Sequence, residues 1–265
     1  MDTLRDLDIV RAVPPSAVLH AESAAANAMP TMTVRFSQFD TWYEIDSMWE
    51  GKFLERTVMG AFKKTISENR DNVKVLFDHG YDPTVGNKVL GAIQELREEP
   101  DGPVGEVPLF DTSYNRDLLP GLEAKVYGSS FRFRVIRDEW NDAPGRSEYN
   151  PDGIPERTIK EVRLFEFGPV TFPANPDSTA GVRSQTDNYY EHLRSRDPKR
   201  VDDLLARTRS LRTLPTDAAS LSTSVDSAAS ITNLAPVDTT RGLSASARSR
   251  VLALPFLTKG ISNEL

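Results

Sequence analysis

The clearest alternation of apolar and polar positions lies in two stretches, "SSFRFRVI" and "IKEVRLFEFGPVTF", and it predicts two β-strands. Upstream, "MTVRFSQFDTWYEI" alternates in the same way with aromatic and β-branched residues, another strand signal. "ERTVMGAFKKTISEN" changes period: Val58, Ala61, Phe62 and Ile66 fall at helical spacing. "VKVLF" predicts a short buried strand ending at His79, where "HGYDP" breaks the chain. "VLGAIQELREE" and "VGEVPLF" read as two strands joined through "PDGP". "DTSYNRDLLPGLEAKVYG" predicts a helix with Asp111 or Thr112 as N-cap. Strands interleaved with few helices predict a mixed α+β domain with a closed or nearly closed sheet.

The pattern fades on both sides of residues 31–183, which set the expected domain. Residues 1–30 are Ala-rich and predict a flexible arm. Residues 184–214 form a charged linker carrying one helix, "DPKRVDDLLARTRSL". There Asp197 is the expected N-cap and Pro198 the first helical residue, with Val201, Leu204, Leu205 and Thr208 on one face. Residues 215–265 are Ser/Thr/Ala-rich with a single aromatic, Phe256, and predict a largely disordered tail.

Composition narrows the function. Lys+Arg 32 against Asp+Glu 39 gives a net charge of -7, which disfavours a general nucleic-acid binder that needs clustered cations. No apolar run is long enough for a membrane span, and the first ten residues lack the order of a signal peptide. The absence of cysteine excludes disulfides, a thiol nucleophile and thiolate metal sites. With 3 histidines and no HExxH-type spacing, a zinc site is not expected either.

Three residues carry candidate chemistry. In "GSSFRFRV" the two-residue period puts Ser129, Phe131, Phe133 and Val135 on one, core-like face. Ser130, Arg132 and Arg134 fall on the other, more accessible face. In "IKEVRLFEFG" the same period puts Glu166 in line with Val162 and Leu164, and Glu161, Arg163, Phe165 and Phe167 opposite. A carboxylate among aliphatic neighbours needs a partner, either an arginine in a structural ion pair or an imidazole that it orients. His79 is either a solvated turn residue or a general base, because imidazole titrates near neutrality. Asp78, its neighbour, faces the opposite side if the strand continues, so the two are not expected to form a dyad.

Residues from about 33 to 183 resemble the prohead maturation proteases of tailed bacteriophages. Five segments carry the resemblance in order: "FSQFDTWYEIDS", "GKFLERTVMGAF", "VLFDHGYDPTVGNKVLGAIQELRE", "YGSSFRFRV" and "LFEFGPVTFPANPDSTA". The resemblance implies a serine endopeptidase that processes the scaffold and major capsid protein, and itself, inside a procapsid assembling in the host cytoplasm. It implies His79 as base, Ser130 as nucleophile and Glu166 as third member, with Glu161 as the fallback, and no cofactor or metal. The family looks related to the herpesvirus assemblins, which implies a mainly antiparallel β-barrel surrounded by a few helices. Arg132 stands where a small glycine is usual, and the assemblin likeness makes Arg132 or Arg134 a candidate oxyanion donor. Self-association in the procapsid and a targeting or scaffold role for the tail are further implications.

Two other readings remain. One is a catalytically inactive capsid-assembly scaffolding protein that keeps the protease fold. The other is a serine hydrolase of different substrate, for which no GxSxG elbow is present.

Overall fold

Two long strands form the spine of the molecule, and they are the two whose alternation is clearest in the sequence. The computed structural model describes residues 7–13, 17–20, 29–172 and 183–212. Its strands are β1 (Ile9–Val13), β2 (Ala17–His20), β3 (Thr31–Arg35), β4 (Tyr43–Ser47), β5 (Gly51–Thr57) and β6 (Lys74–Val75). They continue with β7 (Glu95–Glu99), β8 (Gly102–Pro108), β9 (Gly128–Asn141), β10 (Glu156–Val170) and β11 (Arg183–Ser184). The helices are α1 (Lys63–Glu68), α2 (Ser113–Glu123), α3 (Thr186–Arg196) and α4 (Pro198–Arg212). The "PANPDSTAG" run and the tail expected over residues 215–265 lie outside the described residues.

The mixed α+β class holds, and most of the pairing is antiparallel. The expected closed barrel does not form. A seven-stranded sheet runs β11-β1-β9-β10-β5-β4, with β6 also on β10, and a separate four-stranded sheet runs β2-β3-β8-β7. The sheet stays open because its end strands, β11 and β4, do not pair with each other among the described residues. At its centre β9 fills one edge of β10, while β5 and then β6 share the other, both parallel to it. No pairing joins the two sheets among the described residues, and they meet face to face across one apolar core.

That core is aromatic where the sheets approach most closely. Phe36, just after β3, stacks on Phe167 of β10 at 4.6 Å and lies 5.5 Å from Phe131 of β9. Gly105 of β8 admits this contact, because a Cβ there would sit 2.3 Å from the Phe167 ring. Ser129, Phe131, Phe133 and Val135 are all buried, as their shared face requires.

Several local expectations are corrected. Ile9–Val13, placed in a flexible arm, is a wholly buried strand between β9 and β11, because "IVRAV" puts β-branched residues into the core. The helix read around Val58–Ile66 is confined to Lys63–Glu68 by the positive φ of Gly60, and Glu98 of β7 accepts the Gly60 and Phe62 N–H groups. The domain does not end at residue 183: β11 pairs with β1, and Tyr189 and Tyr190 of α3 join the core. At α2 the N-cap is Thr112, whose hydroxyl accepts the Asn115 N–H. Asp197 accepts the Arg200 N–H at the start of α4, as expected.

Candidate active site

His79 sits in a turn and not at the end of a strand. β6 stops at Val75, and Asp78, His79 and Gly80 then take φ values of 45°, 56° and 77°. Two consecutive non-glycine residues in the left-handed region cost roughly 1–3 kcal/mol each and persist only where the surroundings impose them. Here Asp78 imposes them. Its carboxylate accepts both the N–H and the hydroxyl of Thr171, each at 2.8 Å, and so ties the turn to the end of β10. Asp78 thus anchors His79 without touching its ring chemistry, a role the period argument did not foresee. Gly168 lets the chain cross β10 at this point, since a Cβ there would lie 1.9 Å from the Leu76 carbonyl oxygen.

Glu166 reaches the same place through a bulge. Leu164 of β10 stands opposite Phe133 of β9, but Glu166 stands opposite Arg132, so one extra residue, Phe165, is inserted. Strict alternation would have left Glu166 on the core face beside Leu164. The bulge moves it to the face of Ser130 and Arg132 and turns Phe167 into the core instead, which corrects the expected sidedness of both residues. The carboxylate is 2% exposed and the imidazole 12% exposed, and His79 Nδ1 donates to Glu166 Oε1 at 2.6 Å. Of the two partners open to Glu166, an arginine or an imidazole, it has both: Arg132 Nε lies 3.5 Å from the same oxygen.

Ser130 is opposite Gly168 in the β9–β10 ladder, one pair beyond Phe131 and Phe167. It is 1% exposed, which corrects the expectation of an accessible face, and its Oγ donates to the Arg11 carbonyl of β1 at 2.8 Å. Ser129 points the other way and donates to the Arg35 carbonyl at 2.7 Å. A cavity of about 780 Å³ is lined by both His79 and Ser130. Its far wall is α3, through Asn188, Tyr189 and His192, with Tyr81 and Phe172 at its sides.

The arginines expected to face an oxyanion are held elsewhere. Arg132 Nη1 lies 3.2 Å from Asp8 Oδ2, and Arg134 Nη2 lies 2.7 Å from Asp8 Oδ1. Neither lines the cavity. Glu161 is not brought to His79: it pairs with Lys64 of α1 at 3.3 Å. Among the described residues no group of three His, Cys, Asp or Glu side chains is placed to hold a metal ion.

Asp8, Thr171, Tyr81, Tyr189 and His192 escaped the reading of the sequence. A signal existed for Asp8, which directly precedes the Ile9–Val10 pair that opens β1. None existed for Tyr189 and His192, because only tertiary packing brings α3 over the cavity. Burial, followed by the nearby Tyr189 and opposed by Arg132, pushes the Tyr81 phenol well up, so it stays a neutral hydroxyl. Its ring meets His192 edge-on at 4.3 Å.

A family model described as caudovirus prohead serine protease matches residues 18–192. The match runs from β2 into α3 and takes in His79, Ser130 and Glu166, but it begins after β1. No curated protein matches the chain. Among solved structures, the capsid assembly protease gp21 of bacteriophage T4 is similar with a TM-score of 0.35 and 12% identity, over 62% of this chain and 96% of that one.

Proposed function

We propose, from the premise that this chain belongs to the caudovirus prohead serine protease family, that it is a serine endopeptidase acting through His79, Ser130 and Glu166. The observation that carries the reading is the 2.6 Å hydrogen bond from His79 Nδ1 to a buried carboxylate, at a cavity that Ser130 also lines. With Nδ1–H donated to Glu166, the unprotonated nitrogen is Nε2, the tautomer a general base needs. A serine hydroxyl is a weak nucleophile until such a base removes its proton.

In the reaction the Ser130 hydroxyl gives up the Arg11 carbonyl and offers its proton to Nε2 across the cavity they share. His79 takes the proton as Oγ attacks the scissile carbonyl, and Glu166 stabilises the imidazolium that forms. The imidazolium then protonates the leaving amine, and water hydrolyses the acyl-enzyme by the same route in reverse. Asp8 engages both Arg132 and Arg134, so in this reading the developing oxyanion is held by backbone N–H groups at the cavity.

The substrates follow from the family's chemistry: the scaffold and major capsid protein of a procapsid, together with this chain's own flanking segments. The site of action is the interior of the assembling shell in the host cytoplasm. Nucleic acid and membranes are not among the proposed partners. The test is co-expression of the chain with its capsid and scaffold proteins. Wild-type protein shortens them and itself, whereas Ser130→Ala does not. Cleavage by Ser130→Ala at the wild-type rate would refute the assignment. Intact substrates with wild-type protein would leave the non-catalytic scaffolding reading, which the Ser130–Arg11 hydrogen bond alone favours.

A further inference from the structure

The carboxylate oxygen that receives the His79 proton is shared. Glu166 Oε1 lies 2.6 Å from His79 Nδ1 and 3.5 Å from Arg132 Nε. Arg132 is directly opposite Glu166 across the β9–β10 ladder, so the bulge at Phe165 creates both contacts at once. The guanidinium has further partners on Nη1 and on its faces. Its Nη1 lies 3.2 Å from Asp8 Oδ2 and 3.4 Å from the Tyr189 hydroxyl. Its centre lies 5.4 Å from the Phe165 ring and 5.5 Å from the Tyr189 ring.

We propose that Arg132 is a positioning residue that acts through Glu166, and that Asp8 and Tyr189 hold it in place. The inference rests on the protease reading above. A buried carboxylate with one imidazole partner can swing or take up a proton; a second, permanently charged partner on the same oxygen opposes both. Arginine suits this better than lysine because its planar fork bonds two groups at once and packs between aromatic rings.

The charges balance around it. Asp8 from the N-terminal segment faces Arg132 and Arg134 of β9, and Glu166 of β10 faces Arg132 and His79. Tyr189, Glu191 and His192 of α3, with Asp78, Tyr81 and Asp82 around the turn, line the cavity beside the imidazole, and Arg196 of α3 lies over the Tyr81 ring. Without Asp8, a naked guanidinium beside Glu166 would oppose the imidazolium on which catalysis depends. With Asp8, Arg132 orients the carboxylate at little electrostatic cost. Asp8 lies outside the residues that the family model matches, so a segment flanking the shared domain completes this chain's site.

The experiment combines turnover of a capsid-protein substrate with proton NMR of the full chain. The Nδ1 proton shared between His79 and Glu166 gives a far-downfield resonance, identified by its loss in His79→Gln. Arg132→Gln is expected to lower kcat about 100-fold with little change in KM, as expected for a misplaced catalytic group, and to shift or broaden that resonance. Arg132→Lys keeps the charge and recovers roughly tenfold of the loss, with the resonance retained. Asp8→Asn, a milder change should Arg132→Gln fail to fold, moves both readouts in the same direction by a smaller amount. An Arg132→Gln protein with kcat within threefold of wild type overturns the proposal. So does an unmoved resonance with equal losses in the Gln and Lys variants, which would make Arg132 a structural ion pair only. If wild-type protein showed no turnover, the protease reading would fail, and the resonance alone would decide the role of Arg132.

Discussion

Two chains of alternating charge cross the seven-stranded sheet, and they differ in what closes them. One is sealed. Arg11 of β1 lies 2.7 Å from Glu50 and 2.8 Å from Glu55, and Arg157 of β10 lies 3.3 Å from Glu55 and 2.9 Å from Asp138. The Tyr43 hydroxyl donates to Glu55 as well, and every one of these side chains is buried. The other chain runs Arg134–Asp8–Arg132–Glu166–His79 and ends on an imidazole at a cavity. Both contain a carboxylate held between cations. Only the second ends on an imidazole, an acid–base group with one ring nitrogen left over beside the cavity. Burial of a charge pair therefore marks structure, and burial of a pair with one open, titratable end marks chemistry.

Substitutions should separate the two chains by what they damage. The largest effect falls on the open one: Ser130→Ala is expected to lower kcat about 10⁶-fold while leaving the thermal midpoint within a degree or two by calorimetry. Glu166→Gln keeps the shape of the side chain but not its charge, and should lower kcat by about 10³–10⁴-fold in a steady-state assay. In the sealed chain the loss moves to stability. Arg11→Met leaves Glu50 buried without its cation and Glu55 with Arg157 alone, and should cost about 3–5 kcal/mol in denaturant unfolding. If Arg11→Met lost activity without losing stability, the division between the chains would collapse.

Acid should reach the sealed chain too. Burial alone would raise the Glu50 carboxyl, but the Arg11 charge and its hydrogen bonds outweigh this and hold it below its ordinary 4.5. A carboxyl depressed in the folded state contributes stability that is present above that value and is lost as pH falls through its folded titration. Melting temperatures recorded downwards from pH 6 should therefore drop steeply below about pH 4.5 in wild type, and more shallowly in Glu50→Gln. The smallest effect expected is at the His79 turn. Thr171→Val removes one of the two bonds to Asp78, and should cost about 0.5–1 kcal/mol and lower kcat only a few-fold.

The same contrast shows what the sequence discloses. The β9 faces are legible because alternation there is unbroken, and Phe131 and Phe133 are buried where the period puts them. Glu166 is legible as a carboxylate in need of a partner, but not its side of the sheet, because a bulge at Phe165 leaves no compositional mark. The turn at His79 is half legible. Gly80 announces a break, yet nothing local shows that Asp78 would bond to Thr171. Ile9–Val13 is a strand in plain view, hidden by the Ala-rich residues that follow it and by an arginine whose partners lie far along the chain. Closure into a barrel is a matter of which edges meet, and periodicity carries no information on that.

The most direct measurement of the central claim is where a serine-directed phosphonate reagent reacts. The reagent needs a hydroxyl activated by a base, and two adjacent serines, Ser129 and Ser130, compete for it only on paper. Incubation of the purified chain followed by peptide mass mapping should place a single phosphonyl group on Ser130 in wild type, and none in His79→Ala. A phosphonyl group on Ser129, or one on Ser130 that persists at the wild-type rate in His79→Ala, would contradict the account.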